Sequence, residues 1–144
     1  IQDLSVDFIF SNAVLEHLFH PERSFFQLGR VSKPGAIGYH QVDFRDHSDF
    51  SKPLEFLLVG DDEFKAEMTR NHCERGNRYR PTEYKELFVK NGFEVVKFQP
   101  NIFPDDAYLT DFMTRLAAMG HSKYSGLSRE ELRNVSGYFV VRKI

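Results

Sequence analysis

A chain of 144 residues, 41% hydrophobic and 28% charged, holds enough material for one compact soluble domain with a core and not for two. Its formal net charge of −2 gives no reason to expect nucleic acid or an anionic membrane as partner. No apolar run approaches the roughly 20 residues of a membrane helix, and no basic-then-apolar signal segment opens the chain. The single cysteine, Cys73, excludes an internal disulfide and fits a reducing, cytoplasmic setting.

The chain opens on Ile1 rather than methionine, close to a strongly apolar strand, as a fragment or processed product would. Val6 to Phe10 is rich in β-formers and apolar at alternate and adjacent positions, the pattern of a strand buried on both faces. Such a strand belongs inside a sheet, so N-terminal strands, or edge pairing with a second copy, are expected beside it. A helical pattern follows through Ala13, Val14, Leu15 and Leu18. Pro21-Glu22 opens an amphipathic helix with Phe25, Leu28 and Val31 on one face, stopped by Lys33-Pro34-Gly35. Ala36 to Val42 is the next strand, with Gly38, His40 and Val42 sharing a face.

Residues 48 to 80 fit no simple repeat. Short helices are expected over Pro53–Val59 and Asp61–Arg70, the second with acids at its start and a base at its end. Asn71 to Arg80 is polar and basic, as in a solvated loop. Pro81-Thr82 opens a helix carrying Tyr84, Leu87 and Phe88 and ending at Gly92; Phe93 to Phe98 is a strand. Asp105-Asp106 begins another helix, with Leu109, Phe112, Met113, Leu116 and Ala117 at core-facing spacing. Ser128 and Glu131 form a capping box flanked by the staple pair Leu127 and Leu132, and Tyr138 to Val141 closes the chain as a strand. This order predicts a single α/β domain over residues 1–144 with a mostly parallel sheet.

Three segments carry a family resemblance. Val6-Asp7-Phe8-Ile9-Phe10-Ser11-Asn12-Ala13-Val14-Leu15-Glu16-His17-Leu18 is similar to the fourth strand and following helix of class I S-adenosylmethionine-dependent methyltransferases. Arg30-Val31-Ser32-Lys33-Pro34-Gly35 resembles the turn before their fifth strand, with Ser32 and Ala36 standing where leucine and a second glycine are usual. Asn91-Gly92-Phe93 resembles the turn before their sixth. The resemblance implies a Rossmann-like sheet of strands four to seven, incomplete, with an insertion at about 48–80. The family's Gly-rich loop, ribose-binding acid and adenine-side residues have no counterpart here. The implied cofactor is S-adenosylmethionine, touched near Ser11, Asn12 and Ala13, and the implied role is the acceptor-side half of a methyltransferase acting on a small molecule.

Methyl transfer from a sulfonium is an in-line displacement, and a base is needed only when the acceptor must lose a proton. His17 matches the family's recurrent histidine. His40, Asp43, Arg45, Asp46 and His47 gather at and beyond the end of the second strand, where a His–Asp pair could deprotonate a hydroxyl. O-methylation is the reaction this favours, with His17, His40, Asp43 and His47 as catalytic candidates. Arg45, Arg78 and Arg80 are candidates for holding an acidic acceptor, against the plainer reading of solvated charges. His17 with His20, and His72 beside Cys73, do not enforce the convergence of four ligands that zinc prefers, so no metal site is expected. A non-catalytic module associating through its first strand is the alternative.

Overall fold

The computed structural model describes residues 1–120 and 122–144. Alternation builds its sheet. Along Ser32–Asp43 (β2), Ala36, Gly38, His40 and Val42 turn inward while Ile37, Tyr39 and Gln41 face the other side. Three further strands join it, Val6–Asn12 (β1), Phe93–Ile102 (β3) and Ser136–Lys143 (β4), in the order β1-β2-β4-β3. β1 pairs parallel to β2, and β4 lies antiparallel between β2 and β3. Three of the four strands therefore share a direction, and the carboxyl ends of β1 and β2 lie side by side.

Two helices cover one face. Pro21–Val31 (α1) and Pro81–Lys90 (α3) each start with proline, whose missing N–H costs nothing in a first turn. They bury Phe25, Tyr84 and Phe88 against Val42, Phe139 and Val141 of the sheet. A second core joins the 3-10 turn Glu55–Leu58 and the helices Asp61–Arg70 (α2), Asp106–Ala118 (α4) and Arg129–Arg133 (α5) around Phe56, Leu57, Phe64, Phe112 and Leu132. Asp105 caps α4 by accepting from the Ala107 and Tyr108 amides, and the Ser128–Glu131 capping box forms as its spacing predicts.

The sheet edge is as expected, and three expectations need correction. β1 is the outer strand among the described residues, and its apolar side is open: Phe8 and Phe10 are 58% and 62% exposed, with Phe10 stacked on Tyr39. Only the face of Ile9 and Ser11 meets the helices' side of the sheet, and the unpaired outer edge is the side on which N-terminal strands or a second copy are expected. The helical pattern after it yields one 3-10 turn, Leu15–His17, because Ala13 takes a left-handed φ of 51° and Leu18 returns to extended backbone. β3 runs on to Ile102 through two bulges, and Pro100 is tolerated at the second, where the ladder is already interrupted. The loop 71–80 is not a solvated one, since Asn77, Arg78 and Arg80 are buried. Among the described residues no helix is long and apolar enough to cross a membrane.

Candidate active site

The carboxyl ends of β1 and β2 deliver two short polar segments to one place. From β1 the chain passes Asn12 and Ala13, whose amide donates to Gln41 of β2, and enters the turn holding Glu16 and His17. From β2 it passes Asp43 and continues through Arg45, Asp46 and His47. The loop 71–80 fastens the first segment from behind. Asn77 donates to the Leu15 and Leu18 carbonyls, and the Tyr84 hydroxyl donates to Leu15 as well. His17 donates from Nδ1 to the Cys73 carbonyl at 2.9 Å, which leaves the lone pair of a neutral ring on Nε2.

The two segments then interlock. The Asp43 amide donates to Glu16 Oε1 at 3.2 Å, and the His17 and His47 rings meet edge to face with centroids 4.8 Å apart. Asp43 Oδ2 lies 3.8 Å from His47 Nε2. The Arg45 guanidinium grips Asp43 through Nε and Nη2, and it stacks on Phe50 at 4.2 Å. Asp46 sits beneath, bound by Arg75 and Ser48, with Arg75 also reaching Glu67. A cleft of about 160 Å³ lined by His47, Ser48, Glu67, Asn71, Glu74 and Arg75 opens beside the cluster.

Burial and pairing set the charges. Burial pushes the Glu16 carboxyl up, against the pull of its backbone hydrogen bonds. Burial also raises Asp43 and Asp46, but the hydrogen bonds from Arg45 and Arg75 outweigh it and hold both below the usual carboxylate range. For His47 burial wins: its pKa is lowered although Asp43 pulls the other way. The expectation that an aspartate raises the basicity of its histidine thus meets an opposing desolvation. His47 is neutral at neutral pH.

Of the residues singled out from sequence, His17, Asp43, Arg45 and His47 come together. His40 does not join them. It lies under β2 at 2% exposure, packed on Phe88 and hydrogen-bonded through Nδ1 to Ser11 Oγ at 2.7 Å, and burial lowers its pKa to about 4. Its inward face follows from alternation, which separates it from Asp43 and aims it away from the cluster. Arg78 donates to the Phe56 and Val59 carbonyls and to Asp61 while lying over Phe64. Arg80, 1% exposed, donates to the Phe44 and Asn134 carbonyls. Neither guanidinium faces the cluster; both tie the 48–80 segment into the core. Asn12 is exposed at the strand end, whereas the Ser11 hydroxyl is committed to His40. Glu16, which sequence reasoning passed over, is the buried carboxylate at the centre. Its only signal was an acid placed between apolar Leu15 and His17.

A family model described as a methyltransferase domain matches residues 2–97. The chain belongs to the methyltransferase family. Its fold is the Rossmann-like one of the class I S-adenosylmethionine-dependent enzymes, and solved structures share it at low identity. A complex containing the Haloferax volcanii Trm112 methyltransferase activator matches at 18% identity and TM-score 0.52, over 99% of this chain and 56% of that one. A S-adenosylmethionine-dependent methyltransferase from Methanosarcina mazei matches at 15% and 0.56, over 99% and 61%. Another from Mesorhizobium loti matches at 13% and 0.56, over 99% and 64%. This methyltransferase chain thus spans between half and two thirds of the length of these proteins. Among curated proteins, none matches the sequence.

Proposed function

We propose that this chain forms the acceptor-side half of a methyltransferase that moves a methyl group from S-adenosylmethionine to a hydroxyl of a small molecule. The observation that carries the reading is the junction of His17, Asp43 and His47 at the carboxyl ends of β1 and β2, where ligands of open α/β sheets bind. The cofactor edge would be Ser11 to Ala13. Asn12 offers an exposed carboxamide that can donate and accept, and the small side chain of Ala13 leaves the sheet edge open. That donor set fits an uncharged polar group and makes one wall of a site.

The cofactor supplies an electrophilic methyl carbon. An acceptor oxygen would bond to that carbon as its bond to sulfur gave way, and the acceptor's proton would have to leave. His17 takes it on Nε2, with the ring held by the Cys73 carbonyl. Glu16 places a carboxylate oxygen within 4.8 Å of a His17 ring nitrogen, His47 packs against the His17 ring, and Asp43 lies 3.8 Å from His47 Nε2. Arg45 uses Nε and Nη2 on Asp43, which leaves Nη1 for an acidic substituent of the acceptor. Arg78 and Arg80 contribute by holding the 48–80 segment in position. His40 acts through Ser11, tying β1 to β2 beneath the site.

Titration calorimetry of the full-length protein with S-adenosylmethionine, followed by methyl transfer to a panel of hydroxylated acceptors, tests this reading. Heat of binding and hydroxyl methylation are expected; a folded protein that shows neither contradicts it. A second reading rests on the open edge of β1, where exposed Phe8 and Phe10 would suit association with a second copy. Light scattering after size exclusion separates the two: a dimer indifferent to cofactor favours that second reading. The lone Cys73 suits a cytoplasmic location.

A further inference from the structure

The site holds a cluster that proton transfer alone does not account for. One ligand atom from each of Glu16, His17 and His47 lies within 4.8 Å of the others. Glu16 is 2% exposed, and its Oε2, like His47 Nε2, is buried with no hydrogen-bond partner among the described residues. Two orphaned polar atoms on residues of one such cluster are costly to bury unless something is bound there. His17 adds the arrangement usual for a metal-bound imidazole, Nδ1–H on a backbone carbonyl and Nε2 free to ligate.

We propose that Glu16, His17 and His47 bind a divalent first-row transition metal ion of the zinc class. Two imidazoles and one carboxylate suit Zn²⁺, Co²⁺, Mn²⁺ or Fe²⁺, and they do not suit Ca²⁺ or Mg²⁺, which take oxygen ligands. Ligands about 2.0–2.2 Å from such an ion stand roughly 3–3.5 Å from one another, so side-chain rotations that close the group by up to about 1.5 Å complete the site. The Asp43 carboxylate beside His47 adds favourable charge, and three protein ligands leave positions open for water or an acceptor oxygen. Cation and proton compete for the one His17 Nε2 lone pair, so the base role proposed for His17 belongs to the metal-free protein. This site does not depend on the methyl-transfer reading.

The full-length protein, stripped with chelator and dialysed, is titrated with Zn²⁺ by calorimetry and with Co²⁺ by visible absorption. One equivalent is expected to bind, and His17→Ala and His47→Ala are each expected to weaken binding at least tenfold and to abolish the Co²⁺ bands. Circular dichroism confirms that these variants fold, and Glu16→Gln provides a third, near-isosteric loss of a ligand. His20→Asn and His72→Asn, away from the cluster, are expected to keep full affinity. Absence of stoichiometric binding overturns the proposal, as does binding that survives His17→Ala and His47→Ala. Because cofactor binding is measured separately, failure here leaves the methyltransferase reading standing, and the reverse holds too.

Discussion

The His17 and His47 rings lie edge to face with centroids 4.8 Å apart, and each follows the carboxyl end of a different strand of a parallel pair. That contact joins the β1 and β2 segments into one site. His17 reaches it from a single 3-10 turn held by the Cys73 carbonyl and Asn77, and His47 from a loop held by Asp46 and Arg75.

His17→Gln is expected to lower kcat for hydroxyl methylation by about 10²–10⁴-fold, the usual worth of a positioned base. Affinity for S-adenosylmethionine should stay unchanged by calorimetry if His17 stands, as proposed, on the acceptor side. A variant that loses cofactor binding instead would assign His17 to the wrong wall.

Asp43→Asn removes the one carboxylate that raises the His47 pKa most, so this imidazole is expected to titrate at still lower pH. Proton NMR of the His47 ring in the wild type and the variant checks the direction. An upward shift would contradict the pairing.

Buried His40 makes stability depend on pH. Its pKa is about 4 in the fold against 6.5 for a free histidine, so the unfolded chain binds the extra proton between those values. Its contribution is fully present above pH 6.5 and is lost as pH falls towards 4, amounting to at most about 3 kcal/mol. Urea unfolding between pH 7 and 4.5 measures it, and His40→Gln should flatten the curve in that window. Gly38→Ala tests the same packing, since an added Cβ would come within 2.7 Å of His40 Nε2 and 2.6 Å of Val141 Cγ2. A loss of about 1–3 kcal/mol is expected from such crowding.

Arg80→Met is expected to cost about 2–4 kcal/mol of stability by leaving the Phe44 and Asn134 carbonyls without their buried donor. KM for the acceptor should not change in the folded variant. A raised KM at unchanged stability would restore Arg80 to the substrate site.

Much of the scaffold is legible in local chemistry. Proline at the starts of α1 and α3, Asp105 before α4 and the Ser128–Glu131 box mark helix starts because capping is decided within a few residues. Alternation likewise places His40 on the buried face of β2. The fates of Arg78 and Arg80 are illegible at that level, because the carbonyls that accept from them belong to Val59, Phe44 and Asn134 and are brought near only by tertiary packing. The same holds for Glu16 and His47, which no spacing rule connects. At β1, Phe8 and Phe10 are exposed beside the unpaired outer edge where their composition calls for a further strand or a second copy.

The central claim is that the carboxyl ends of β1 and β2 form the acceptor wall of a methyltransferase. Single-turnover transfer of labelled methyl from S-adenosylmethionine to a hydroxylated acceptor, comparing the full-length protein with its His17→Gln variant, tests it most directly. Transfer by the wild type is expected, with a loss of at least about 100-fold in the folded, cofactor-binding variant. Equal transfer by both proteins would contradict it.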